Sequence, residues 1–421
     1  MMFGGHDDKN SSLTGQSDEK KESIRKRKYV NRLYFEYDIS KREIARKEDV
    51  SREFVKAWTQ SPDQDFTMDN RGRDKGDRVK WEPEVVRGLI EVRSQLEEDP
   101  AEPYWGPSAV HVEYRKAYPQ REAPPIRTIG KILKDMGMTD HQQKGVTKGA
   151  LRYLRYPEYT IYNQLGERII EADFVGDKFI EGRSEPLHFL GFSAKKEPRM
   201  RYFERVRAET AEELITYTKA FFDRFEVPDV LKVDNGSAMT GGGAHKRLLS
   251  RTVRFLLERK VIPVFSVPRR PATQASIEGS NSVFSRKFWE RNEFGSLQEV
   301  DEKLSTFNKK SLAFLQYTSP ENSLPDPERF EPKVFYTRQV REQEKGDEGH
   351  ITVANESLEV PAEYIKRFVL AEWKLREEKL LLRMEEKRDS KEEEPVGTEV
   401  IEEIDFPIHE SSKEKSEEIL R

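Results

Sequence analysis

Three acidic residues sit in local contexts that fit a single metal site. Asp173 interrupts the apolar run Ile169–Ile170–Glu171–Ala172–Asp173–Phe174–Val175. Asp234 ends Val230–Leu231–Lys232–Val233 and opens Asp234–Asn235–Gly236. Glu278 follows Pro268–Arg269–Arg270–Pro271 and starts a helix-like stretch, Glu278–Gly279–Ser280–Asn281–Ser282–Val283–Phe284. An aspartate inside an apolar strand costs several kcal/mol unless it is paired or coordinates a metal. Two strand-borne carboxylates and one on a helix suit a pair of hard divalent cations, two Mg²⁺ with Mn²⁺ able to substitute. Such ions take oxygen ligands and keep positions open for water and phosphate. The chemistry is phosphoryl transfer, with DNA as substrate.

The chain holds 78 Asp and Glu, so three acids at arbitrary spacing carry no meaning and context makes the case. Taken singly, Asp234 could merely start a turn, and Glu278 could be a helix-start acid favoured by the dipole. Glu171 and Asp177 are rivals to Asp173 for the first ligand. Asp173 shares a strand face with Ile169 and Glu171, leaving Ile170, Ala172 and Phe174 on the other.

The elements that must position these acids alternate strand and helix. Strands are expected at 168–175, 187–193, 200–206, 230–233 and 261–266, and helices at 211–225, 248–259 and 277–291. Three strands, helix, strand, helix, strand, helix describe a mixed α/β sheet covered by helices, a ribonuclease H-like catalytic domain over 167–318. On a helix starting near Glu278, the residues Asn281, Ser282, Ser285 and Arg286 share its face, so Asn281, Ser285 and Arg286 are candidates for the DNA backbone.

Ahead of this core the pattern is all-α. Residues 1–28 read as a flexible basic arm. Over 29–62, Ser40 with Glu43 forms a capping box, Asp49–Val50 makes a turn, and Ser51 caps a second helix whose Phe54, Val55 and Trp58 share one face. That is a helix-turn-helix pattern, with Ser51, Arg52 and Lys56 outward for a major groove. A polar linker spans 63–80. Helices at 83–96, 106–118 and 126–136 form a second helical DNA-binding domain over 81–146. There Ile126, Ile129, Ile132 and Leu133 make the apolar stripe, and Arg127, Thr128 and Lys131 face outward. A basic, aromatic connector covers 147–166.

After the core, short strands near 349–353, 359–360, 367–375 and 379–383 read as a small C-terminal β-barrel over 335–385. Residues 386–421 read as a disordered acidic tail. The net charge of −4 is unevenly spread: Glu385 to Arg421 holds 14 acidic and 6 basic residues, leaving the rest at +4, compatible with a DNA partner. With no cysteine there is no disulfide framework and no thiolate zinc site. No apolar run is long enough for a membrane span and no signal-peptide core opens the chain, so a cytoplasmic, nucleoid-associated protein is expected.

The motifs at Glu–Ala–Asp173–Phe–Val–Gly, Val–Asp234–Asn–Gly–Ser and Pro268–x–x–Pro271–x₆–Glu278–Gly279–x–Asn281 resemble the DDE catalytic core of the retroviral integrase and bacterial insertion-sequence transposase superfamily. That resemblance implies a DNA transposase or integrase, a polynucleotidyl transferase in which Asp173 bridges two ions while Asp234 and Glu278 each hold one. One ion would activate water or a DNA 3′-hydroxyl and the other stabilise the leaving oxygen, with no covalent protein–DNA intermediate. It also implies binding to double-stranded element ends and target, by a homo-oligomer that is at least a dimer on DNA. The 43 residues between Asp234 and Glu278 are more than is usual for that family, and Thr240–Lys246 is the expected insertion, a flexible loop. A regulator that has lost its chemistry, and a nuclease that cuts without joining, are the alternatives.

Overall fold

The structure is a computed structural model. It describes residues 11–36, 39–66, 81–138, 161–162, 165–166, 168–194, 196–243, 245–319, 330–342, 348–385 and 397–420. They fall into two compact units, Met1–Trp81 and Glu82–Arg421.

Among its described residues the first unit has three helices, α1 (Ser11–Phe35), α2 (Lys41–Lys47) and α3 (Arg52–Ala57). The Ser40 and Ser51 hydroxyls cap α2 and α3 by accepting the Glu43 and Phe54 amides at 3.3 and 3.0 Å. Asp49, at φ 50°, makes the turn between them. Residues 11–28 are helical rather than the flexible arm expected. The C-terminal part of α1 has something to pack on: Val30 is buried with Ile44 and Val55, and Asn31 donates to the carbonyls of Trp58 and Ser61 at 2.9 Å. The linker over 67–80 lies outside the described residues.

The second unit begins with α4 (Pro83–Glu98), α5 (Pro107–Ala117) and α6 (Ile126–Asp135). Ile129 and Leu133 are buried, whereas Ile126, expected in the same stripe, is 46% exposed. These helices are not a free module. Tyr104 stacks on Phe314 at 4.1 Å and its hydroxyl bonds Ser311 at 2.8 Å, while Trp105 receives Lys287 and Arg291 over its ring.

The core carries β1 (Ile169–Lys178), β2 (Leu187–Ala194), β3 (Arg201–Val206), α7 (Ala211–Phe225), β4 (Val230–Val233), α8 (Ser237–Thr240), α9 (Arg251–Glu258), β5 (Ile262–Phe265), α10 (Ala275–Phe284) and α11 (Leu297–Phe314). β1, β2 and β3 pair antiparallel, and β1–β4 and β4–β5 pair parallel, giving the order β3-β2-β1-β4-β5. β4 and β5 are buried throughout, as parallel strands covered on both faces require.

The sheet does not stop at β5. β6 (Lys333–Gln339) pairs parallel with it, and β10 (Phe368–Lys374), β11 (Lys379–Glu385) and β12 (Thr398–Asp405) continue as antiparallel neighbours to make nine strands. The separate barrel expected over 335–385 is therefore replaced by an extension of the core sheet. Phe265 and Tyr336, stacked at 4.8 Å, seal the junction. A second, three-stranded sheet of β7 (Arg341–Glu342), β8 (Gly349–Val353) and β9 (Glu356–Val360) completes this half. Residues 397–420, expected to be disordered, supply β12 and short helices. Phe406 is buried, and its carbonyl accepts the Trp373 indole N–H at 2.9 Å.

The glycine-rich stretch after Asp234 is tied down rather than loose. Asn355 donates to the carbonyls of Gly243 and His245 at 2.9 and 3.3 Å, and the Arg247 amide donates to Ala354 at 2.8 Å. No helix among the described residues is long and apolar enough to cross a membrane.

Candidate active site

Asp173 stands on β1, between β4 and β2, in register with Gly191 of β2. A Cβ at Gly191 would meet Phe203 at 2.8 Å and Ile277 and Asn281 at 3.1 Å, so its bare backbone is what lets α10 lie against this face of the sheet. Asp234 follows β4, the parallel neighbour of β1. The Gly236 amide donates to the Asp234 carboxylate. Glu278 is exposed in the first turn of α10.

Polar contacts fix α10. Glu171, fully buried, accepts the Ile277 amide at 3.0 Å. Ser193 bonds the Ser280 hydroxyl at 2.9 Å and donates to the Ser276 carbonyl at 3.2 Å. Asn281 donates to Asp173 at 3.3 Å. The alternation that puts Glu171 and Asp173 on one face thus gives them different work. Glu171 meets the start of the helix, and Asp173 lies one step further toward the strand's end.

The electrostatics bring the three acids into one field. Burial, then the charges of Asp234 and Glu278, raise the Asp173 carboxyl to about 7. Burial also raises Asp234, and partial burial together with Glu171 raises Glu278. The charges of Asp234 and Glu278 both act on Asp173, and a cation held beside it would relieve them. The donors are all carboxylate oxygen, which fits Mg²⁺ or Mn²⁺ and offers nothing to a soft metal.

A second group lies close by. The ligand atoms of Asp177, His188 and Glu209 all lie within 4.8 Å of one another, and Glu209 also raises Asp173. His188 Nδ1 is 3.4 Å from Asp177 and 3.7 Å from Glu209. Asp177, a rival for the first ligand in the sequence, thus faces His188. Asp173, Asp234 and Glu278 are not among the described groups whose ligand atoms all lie within 4.8 Å of one another. Sequence reasoning missed Glu209 because it sits in a loop among other acids, with no apolar frame to mark it.

The turn after Asp234 is held from the C-terminal half. Asn235 donates to the Ser266 carbonyl at 2.7 Å, and its own carbonyl oxygen accepts from Arg338 of β6 at 2.8 Å. Arg338, buried, also donates to the Ser266 and Thr352 carbonyls.

The expected DNA contacts are placed unevenly. Ser51, Arg52 and Lys56 are exposed on α3, with the Ser51 hydroxyl occupied as a cap. Arg127 and Lys131 are exposed on α6 and Thr128 is half-buried. Asn281 turns inward to Asp173, and Ser285 accepts from Lys178 at 3.2 Å, while Arg286 is exposed.

No family model and no curated relative matches the chain. Among solved structures it is similar to a simian T-cell lymphotropic virus intasome in complex with PP2A regulatory subunit B56 gamma. The identity is 13% and the TM-score 0.32, covering 62% of this chain and 98% of that one. It is also similar to the catalytic core domain of BIV integrase, with 14% identity and a TM-score of 0.24, covering 38% of this chain and 88% of that one. Both likenesses are weak, and the functional reading rests on the acids themselves.

Proposed function

We propose that the chain is a metal-dependent polynucleotidyl transferase of the DDE transposase and integrase kind, which cuts DNA at element ends and joins them to target DNA. The observation that carries this reading is the placement of Asp173 on β1, Asp234 at the end of the neighbouring parallel strand, and Glu278 on the helix that Glu171 and Asn281 tie to β1, with both other acids acting on Asp173. Magnesium, with manganese able to substitute, is the group these carboxylates would hold, and it supplies charge neutralisation at a phosphodiester and activation of an attacking hydroxyl. The chain's own residues do the positioning. Asn281 orients Asp173, Gly236 and the Asn235–Arg338 pair hold the turn at Asp234, and Glu171 anchors the helix carrying Glu278.

In this reading α3 and α6 supply sequence recognition through Ser51, Arg52 and Lys56 and through Arg127, Thr128 and Lys131. Arg286 meets the backbone beside the metals, and at least a dimer holds two ends together. A nucleoid-associated, cytoplasmic setting accompanies it.

The test is to incubate the protein with Mg²⁺, the DNA flanking its coding region and a target plasmid. Joined products are the expected result. Cuts without joining would make it a nuclease, and retention without cutting a regulator; either overturns the transferase assignment.

A further inference from the structure

Beside the turn that carries Asp234 lies a cavity of about 480 Å³ lined by Arg269, Arg270, Arg338, Gln339, Arg341 and His350. Four arginines line it, and among the described residues no carboxylate does. None of the four arginines forms an ion pair with a carboxylate among the described residues. Arg270 donates to Gln339, Arg338 to Asn235 and to backbone carbonyls, and Arg269 and Arg341 stand exposed at the rim. His350 Nδ1 is buried without a hydrogen-bond partner. Arg269 is held at φ 59°, a conformation that costs a non-glycine residue energy.

Gathering four permanent charges around one hollow is unfavourable without an anion, and guanidinium forks match phosphate oxygens in pairs. Two walls of the cavity also belong to the acid site. Arg338 holds Asn235, the residue after Asp234, and Arg269–Arg270 lead through Pro271 into the helix that carries Glu278. An anion here is therefore a neighbour of whatever phosphodiester meets the three acids.

We propose that this cavity binds a backbone phosphate of the DNA strand whose scissile linkage lies at Asp173, Asp234 and Glu278. The proposal rests on the DNA-processing function above, and it identifies the strand-gripping element of that site as the junction of the core with the C-terminal sheets.

The experiment compares wild-type protein with Arg269→Gln/Arg341→Gln. Binding of a fluorescein-labelled duplex from the DNA flanking the coding region is followed through a salt series without divalent ion, and cleavage of the same duplex is followed with Mg²⁺. Both arginines are exposed, and among the described residues neither makes a side-chain hydrogen bond. Arg269→Gln alone serves if the double variant melts early, and Arg269→Lys/Arg341→Lys tests rescue by charge. The expected result is weaker binding, with the slope of log K against log salt reduced by about one to two units and restored by the lysine pair. If wild type cuts and the glutamine variant keeps its affinity and slope, the cavity proposal is overturned while the transferase reading stands. If binding depends on these arginines but Mg²⁺ yields no cleavage, the cavity stands as a DNA site and the catalytic reading falls. If wild type neither binds nor cuts, both fall.

Discussion

Glu171 and Ile277 are 106 residues apart in sequence, yet the buried carboxylate of one accepts the backbone amide of the other at 3.0 Å. This bond fixes the start of α10 against β1 and sets where Glu278 stands. Glu171→Ala should destabilise the fold by about 1–3 kcal/mol, because a buried amide loses its acceptor. Glu171→Gln keeps an acceptor oxygen and should recover most of the melting temperature and the cleavage rate. Thermal melts beside cleavage assays check this; equal loss in both variants would show that the charge, not the hydrogen bond, matters.

Asp173→Asn should remove cleavage and joining while leaving binding of DNA ends intact. The rate loss should exceed the roughly 10–100-fold that follows loss of an outer-shell partner. A gel-shift titration beside a cleavage time course measures both, and retained cleavage would sink the assignment of Asp173.

The raised Asp173 carboxyl makes the metal-free protein sensitive to pH. Its folded value of about 7 lies above the ordinary aspartate value of 3.8, so between those limits the folded state binds more protons than the unfolded one. That contribution to stability is fully present below the unfolded value and is lost as pH rises through 7. In EDTA the melting temperature should therefore fall from pH 5 to pH 8 by more in wild type than in Asp173→Asn. Adding Mg²⁺ should restore more stability at pH 8 than at pH 6, since the ion competes with the proton. Parallel melting curves for the two proteins would refute this.

Gly191→Ala places a methyl group 2.8 Å from Phe203 and 3.1 Å from Asn281. Overpacking of this kind costs typically about 1–3 kcal/mol. Because the crowded partners are sheet and α10, cleavage should drop beyond what the lower stability explains, as assays well below the melting temperature would show. Gly279→Ala, where a Cβ meets nothing within 4 Å, is the matched control on the same helix.

Arg338→Met removes the donor that holds Asn235, takes a donor from the Thr352 carbonyl and leaves Asn235 as the side-chain donor to the Ser266 carbonyl. The Mg²⁺ concentration needed for half-maximal cleavage should rise about 10–100-fold, the range for groups that orient a metal ligand. A Mg²⁺ titration of the cleavage rate reads this; an unchanged requirement would mean that the turn at Asp234 holds itself.

The elements that carry the candidate acids were legible because each acid lies within or beside a strongly patterned segment. The run Ile169–Val175 marks a buried strand, Val230–Val233 another, and the prolines before Glu278 mark a helix start. Period-two alternation could not separate Asp173 from Glu171, since both face the same way; only the approach of Ile277 does. The C-terminal half was misjudged for a different reason. Its strands were recognised, but local sequence carries no record of a partner, and the pairing of Phe265 with Tyr336 spans more than seventy residues. β12 alternates acids with Val400, Ile401 and Ile404 on a half-exposed edge, so its charge masked a strand. The part of α1 before Tyr29 reads as an arm in the sequence because it offers only Leu13 and Ile24 among polar and charged residues, too few for an apolar stripe.

The pairing of β5 with β6 has a practical consequence for dissecting the molecule. A chain ended near residue 318, where the sequence invites a cut, would strip the partner from Val264 and Phe265 and bare an apolar edge along the sheet's middle. Such an edge recruits strands from other copies, so the truncated fragment should come down as inclusion bodies. Expression for crystallisation or swapping of end-binding regions should keep everything through Phe406 attached.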